Sequence, residues 1–146
     1  MTSLKKFLND KEYTRIKLTR TKTNHFEMDA AINGVAGKFI LDTGASSTCI
    51  GLDCIEKFKL NSEASDIRAA GAGASNMPTE ISKKNEITIG NWSRKRIKIV
   101  LFDLTHVNQA LINHNASPVN GIIGSDILKR GKAIIDYDKK ALYLRV

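Results

Sequence analysis

The chain has 146 residues, 42% of them hydrophobic and 26% charged, with a formal net charge of +8. That is enough chain to bury a real core as a single domain over 1–146, and the composition is too apolar for a disordered tail. No apolar run approaches the roughly 18 residues of a membrane-spanning helix. The start, "MTSLKKFLNDKEYTR", carries charges and lacks the apolar stretch of a secretory signal, so a cytoplasmic protein without membrane contact is expected.

Cys49 and Cys54 are too few for a disulfide scaffold, and their spacing fits no four-ligand zinc pattern. They are expected to be reduced thiols in or near the core. His25, His106 and His114 lie far apart in sequence and are expected to be surface or structural residues, so no metal is assigned. Basic residues are spread from Lys5 to Lys22, through Lys83, Lys84 and Arg94-Lys95-Arg96, to Lys129, Arg130, Lys139 and Lys140. Such a surface can attract polyanions. No aromatic residues interleave with it as a base-stacking platform requires, so nucleic acid is not the expected partner.

In chain order, residues 1–12 form a polar leader with about one helical turn. "YTRIKLTR" (13–20) alternates and predicts a strand. "HFEMDAAI" (25–32) places Phe26, Met28, Ala30 and Ile32 on one face. Asn33-Gly34 then predicts a hairpin turn, because both residues tolerate positive φ, and "VAGKFIL" (35–41) returns as a strand. "STCI" (47–50) predicts a short strand, and "LDCIEKFKL" (52–60) has the spacing of a short helix. "AAGAGAS" (69–75) is glycine-rich and predicts a loop or hairpin tip. "ISKKNEITIG" and "SRKRIKIVLFDL" predict strands around Gly90-Asn91. Residues 104–115 space Leu104, Val107, Ala110 and Leu111 like an amphipathic helix. "NGIIG" (120–124) predicts a strand, and "SDILKRG" (125–131) a helix with Ser125 as N-cap and Gly131 as stop. "AIIDYDKKALYLRV" predicts a closing hairpin. Many short strands with two or three short helices indicate a mainly β barrel or sandwich.

"FILDTGASSTCI" (39–50) carries the chemistry. An apolar strand ends on Asp42, and a lone buried carboxylate is costly unless it is paired, hydrogen-bonded or protonated. Thr43-Gly44-Ala45 turns the chain sharply. Gly44 lets its N–H point back at the carboxylate, and the Thr43 hydroxyl can reach a neighbouring loop. Asp103, Asp126, Asp136 and Asp138 lack such a turn. Asp42 therefore has no matching second carboxyl in the chain.

These residues resemble the retropepsin-like aspartic proteases, the single-domain kind found in retroviruses and bacteria. Asp42-Thr43-Gly44-Ala45 matches the family's active-site loop. Ile122-Ile123-Gly124, leading into a helix, matches its second signature. The resemblance spans roughly residues 25 to 146. It implies a closed retropepsin-like β-barrel and an endopeptidase without cofactor or metal, acting on polypeptides. It also implies a homodimer in which two Asp42 carboxyls activate one water. A glycine-rich flap over the substrate would fall at Ala70, Gly71, Ala72 and Gly73.

Two departures stand out. Retroviral members carry an Asp–Arg ion pair at the positions of Ser46 and Ser125, and segment 104–115 is longer than their counterpart. Retroviral relatives interleave their chain ends at the dimer axis. Residues 142–146 would therefore either join such an interface or be covered by 13–20 within one subunit. The alternative function is a non-catalytic peptide-binding or scaffolding module on the same fold.

Overall fold

Asn33 and Gly34 adopt φ values of 50° and 81°, the left-handed pair that turns one strand tightly into the next. The structure is a computed structural model and describes residues 2–71 and 74–146, with side chains described outside 64–77. Helix α1 (Leu4–Asp10) precedes β1 (Tyr13–Lys17), β2 (Thr19–Arg20), β3 (Phe26–Ile32) and β4 (Val35–Leu41). After β5 (Cys49–Gly51) come the long arms β6 (Glu63–Gly71), β7 (Ala74–Ile89) and β8 (Trp92–Phe102). Helix α2 (Thr105–Asn113), β9 (Gly121–Ile123), α3 (Ser125–Arg130), β10 (Ile134–Asp136) and β11 (Ala141–Arg145) complete the order.

Strands β3, β4, β9, β5, β8 and β7 are successive neighbours. Strand β7 then pairs back onto β3 at Ala31–Thr88 and Ile32–Ile87. The result is a closed six-stranded barrel, a mainly β fold with three α-helices among the described residues. Phe39, Phe58, Trp92, Ile50 and Ile99 are fully buried at its centre. Strand β4 shows why the run 39–41 is apolar without alternation. Phe39 and Leu41 face the main core, while Ile40 joins a second cluster with Val100, Leu104, Leu111 and Ile122. Successive strand side chains point to opposite faces, so a strand buried on both sides needs apolar residues throughout. Leu104 and Leu111, at the start and within α2, help cover that second face.

Several expected elements differ. Residues 13–20 are two strands, not one. Strand β1 pairs with β11 and β2 with β3, and Leu18, 1% exposed, marks the switch between sheets. Residues 52–60 form only a 3-10 turn at Leu52–Cys54 followed by turns. Lys59 adopts φ 57°, which no α-helix tolerates, and this lets both Phe58 and Leu60 enter the core. Ser125 is the first residue of α3, and Gly124 is the N-cap. The leader contains a seven-residue helix capped by the Ser3 side chain, and Leu8 packs on Ala141 and Tyr143.

Strand β11 settles the choice left open for residues 142–146. It lies between β1 and β10, paired antiparallel to both. Both its edges are satisfied inside the subunit, so it offers no free strand edge to a second chain.

Candidate active site

Parallel pairing builds the site. Phe39, Ile40 and Leu41 of β4 lie beside Gly121, Ile122 and Ile123 of β9. Two parallel neighbours leave the sheet at the same end, so the segment after Leu41 and the segment after Ile123 emerge together. The Asp42 N–H donates to the Ile123 carbonyl at 3.0 Å and extends the ladder one step. The turn then closes as the Ala45 N–H donates to the Asp42 carbonyl at 3.2 Å.

The Asp42 side chain is half-buried. Its Oδ1 accepts from the Gly44 N–H at 2.9 Å. Thr43 and Gly44 are exposed, and the Thr43 hydroxyl has no hydrogen-bond partner among the described residues. Among the described residues it does not bond to another loop of the same subunit. Ala45 is half-buried and packs on the second cluster.

The second signature touches the first directly. The Ser125 N–H donates to the Ala45 carbonyl at 2.7 Å. A Cβ on Gly124 would sit 2.8 Å from that carbonyl oxygen and 2.9 Å from Ser47 backbone, so only glycine lets the two segments approach this closely. Ile122 and Ile123 are split between the clusters, Ile122 beneath α2 and Ile123 in the barrel core.

Sequence reasoning missed the tie that holds these segments. Thr48, fully buried, donates from its N–H to Asp126 Oδ2 at 3.0 Å and from its hydroxyl to Oδ1 at 2.8 Å. The Thr48 oxygen in turn accepts from the Gly124 N–H at 3.0 Å. Hydrogen bonds to an ionised carboxylate are stronger than neutral ones. Ser46 and Ser125 are not bonded to each other among the described residues. The link runs instead from Thr48 to Asp126, a hydroxyl and an acid slightly further along each segment. Cys49 lies close by. Burial, with the negative charges of Asp126 and Asp42, pushes its thiol up to about 12.

Asp42 opens on a cavity of about 490 Å³. Ile40 and Ile122 come from the two parallel strands, and His106, Val107, Ala110 and Leu111 come from α2. Thr23 and His25 complete the lining, and Asp42 is its only acidic residue among the described residues. A larger cavity, about 890 Å³, lies between α1 and β1, but it contains no residue of either signature, so chemistry rather than size selects the site. His25 and His106, expected to be surface or structural residues, share the Asp42 cavity. No cluster of His, Cys, Asp and Glu among the described residues could hold a metal ion, and no described helix is long and apolar enough to cross a membrane.

The glycine-rich segment joins β6 and β7. These strands pair antiparallel, with Ala69 opposite Met77 and Gly71 opposite Ala74. Ala70 and Gly71 belong to β6, while Ala72 and Gly73 lie outside the described residues.

Residues 28–127, more than half of the chain, match the family model described as aspartyl protease. The fold is similar to a retropepsin-like aspartic protease from Rickettsia conorii, at 22% identity and a TM-score of 0.60, covering 91% of each chain. It is also similar to EIAV protease complexed with the inhibitor HBY-793, at 20% identity and a TM-score of 0.55, covering 75% of this chain and 90% of that one. The retroviral protease-like domain of Ddi1 from Leishmania major matches at 18% identity and a TM-score of 0.52, covering 81% and 86%. No curated protein sequence matches the chain.

Proposed function

The chain belongs to the aspartyl protease family, and on that premise we propose that it is an endopeptidase working as a homodimer, with one Asp42 carboxyl from each subunit. The observation that carries the reading is the solitude of Asp42. It ends a strand buried on both faces, opens on a cavity, and has no second acid beside it there among the described residues.

Peptide hydrolysis by carboxyl groups needs an acid and a base around one water. Two carboxyls held close share one proton, because both cannot ionise at once, and aspartic proteases are the general example. The ionised member takes a proton from water. The protonated member polarises the scissile carbonyl, and a proton reaches the leaving amine. The pair titrates as a unit. A twofold axis through the Asp42 loops supplies the missing carboxyl and makes an isologous contact.

Local geometry supports these roles. The Gly44 N–H fixes one carboxylate oxygen and leaves the other for water. The Thr43 side chain, exposed and without a partner in its own subunit among the described residues, is free to brace the facing loop. The paired strands β6 and β7 would cover the substrate, with Ala70 and Gly71 at the end of β6. The chemistry needs no cofactor.

Asp42→Asn tests the reading. The amide is nearly isosteric but can serve as neither base nor acid, so cleavage of an unfolded protein should disappear while the fold persists. Full activity in this variant rules out Asp42 chemistry. A folded wild-type protein that binds peptides and never cleaves them would instead support the binding-module alternative.

A further inference from the structure

We propose that the cavity beside Asp42 is a subsite for an acidic side chain of the polypeptide substrate, with the imidazoles of His25 and His106 receiving its carboxylate. The inference rests on the endopeptidase reading and adds to it a substrate class.

Both histidines line the same cavity as Asp42, one from the segment before β3 and one from the first turn of α2. His25 is held by local hydrogen bonds. Its Nδ1 meets the Thr23 hydroxyl at 2.9 Å, Thr23 meets the Thr21 hydroxyl at 2.7 Å, and the His25 N–H donates to that same Thr21 oxygen at 3.2 Å. With Nδ1 engaged, Nε2 remains without a partner among the described residues. His106 has no hydrogen-bond partner there either. Ring nitrogens that line a cavity and have no partner among the described residues are available to a ligand.

The rest of the lining suits the stem of such a side chain. Ile40, Leu111 and Ile122 are aliphatic and buried, a surface that takes methylenes and leaves the carboxylate at the imidazole rim. Two acids bear on the site. Asp42 lies within the cavity, and a pair of such carboxyls sharing a proton carries one negative charge, not two. Asp103 is the acidic neighbour of His106, and its carboxyl is held below the usual range chiefly by hydrogen bonds from Thr105, with a smaller contribution from His106. Asp103 is thus already engaged by the Thr105 N–H at 2.8 Å and by the Thr105 hydroxyl. A lysine or arginine side chain would meet the imidazoles and be disfavoured.

The test uses the full chain. Sites cut in an unfolded protein at about pH 5.5, where imidazole is ordinarily charged, are mapped by mass spectrometry. Matched peptides carrying Glu, Gln or Leu at the enriched position are then compared. Glu should be favoured over its neutral isostere Gln by about tenfold in kcat/KM. That ratio should fall to about one in the double variant His25→Gln, His106→Gln. Cleavage that requires Asp42 but shows no acidic enrichment overturns the subsite and leaves the endopeptidase reading standing. So does a Glu-to-Gln ratio that survives in the double variant. A wild-type protein that cuts nothing, or an Asp42→Asn protein that still cuts, refutes the endopeptidase reading, and the subsite falls with it.

Discussion

Thr48 clamps Asp126: its N–H and hydroxyl reach the two carboxylate oxygens at 3.0 and 2.8 Å while its oxygen accepts from the Gly124 N–H. One buried threonine therefore joins the segment after Asp42 to the start of α3. Thr48→Val keeps the shape and removes the hydroxyl. It leaves the Gly124 N–H and one Asp126 oxygen unpaired, at a cost of about 2–4 kcal/mol. The urea midpoint should drop with an unchanged slope. Activity should fall as well, because the two signatures lose the hydroxyl's share of the tie between them, although the Ser125–Ala45 hydrogen bond remains. A variant as stable and active as wild type would show that the clamp carries no load.

The position of β11 predicts the outcome of a truncation. Leu142, Tyr143 and Leu144 are 0–2% exposed, and the strand is central in its sheet. Each large apolar side chain removed forfeits about 1.5–3 kcal/mol, against a total stability of about 5–15 kcal/mol for a typical domain. Deleting residues 142–146 should give an unfolded or aggregating product by circular dichroism. A folded monomer would mean that β11 serves a partner chain and not its own core.

Cys49 sets a pH dependence at the alkaline end. Burial first, then the charges of Asp126 and Asp42, hold its folded pKa at about 12, above the ordinary thiol value of about 8.5. A group whose folded pKa is raised gives stability that is complete below its unfolded value and is lost as pH climbs through the folded one. Stability should therefore decline between about pH 8.5 and 12. The decline should be shallower in Cys49→Ala, compared by slope because the substitution also leaves a small void. Cys54, raised mainly by burial, contributes in the same direction in both proteins. In the native state Cys49 should resist alkylation near neutral pH, since the thiolate is the nucleophile.

Features written in neighbouring residues were legible from sequence. Asn33-Gly34 demands its turn, and 35–41 with its doubly buried end reads as the strand it is. The closed barrel came from the resemblance carried by Asp42-Thr43-Gly44-Ala45 and Ile122-Ile123-Gly124. Features made by distant partners were not legible. Residues 52–60 have helical spacing, but Phe58 and Leu60 reach one core through a backbone reversal at Lys59 that periodicity does not encode. Thr48 and Asp126 meet only because β4 and β9 run parallel, and neither stands out as polar in its own segment. The shared cavity of His25 and His106 likewise depends on α2 folding back over the barrel. Residues 142–146 were ambiguous because an alternating strand looks the same whichever chain covers its edge.

The central claim is that one catalytic site takes Asp42 from two chains, and mixing tests it most directly. Wild-type protein is unfolded and refolded together with Asp42→Asn protein, and cleavage of an unfolded substrate is measured at fixed wild-type amount. If chains pair at random and mixed dimers are inactive, an equal amount of the variant leaves about half the activity. A ninefold excess leaves about a tenth. Activity that stays constant at every excess of the variant, with both proteins folded and free to exchange, would contradict the account, because each wild-type chain would then be working alone.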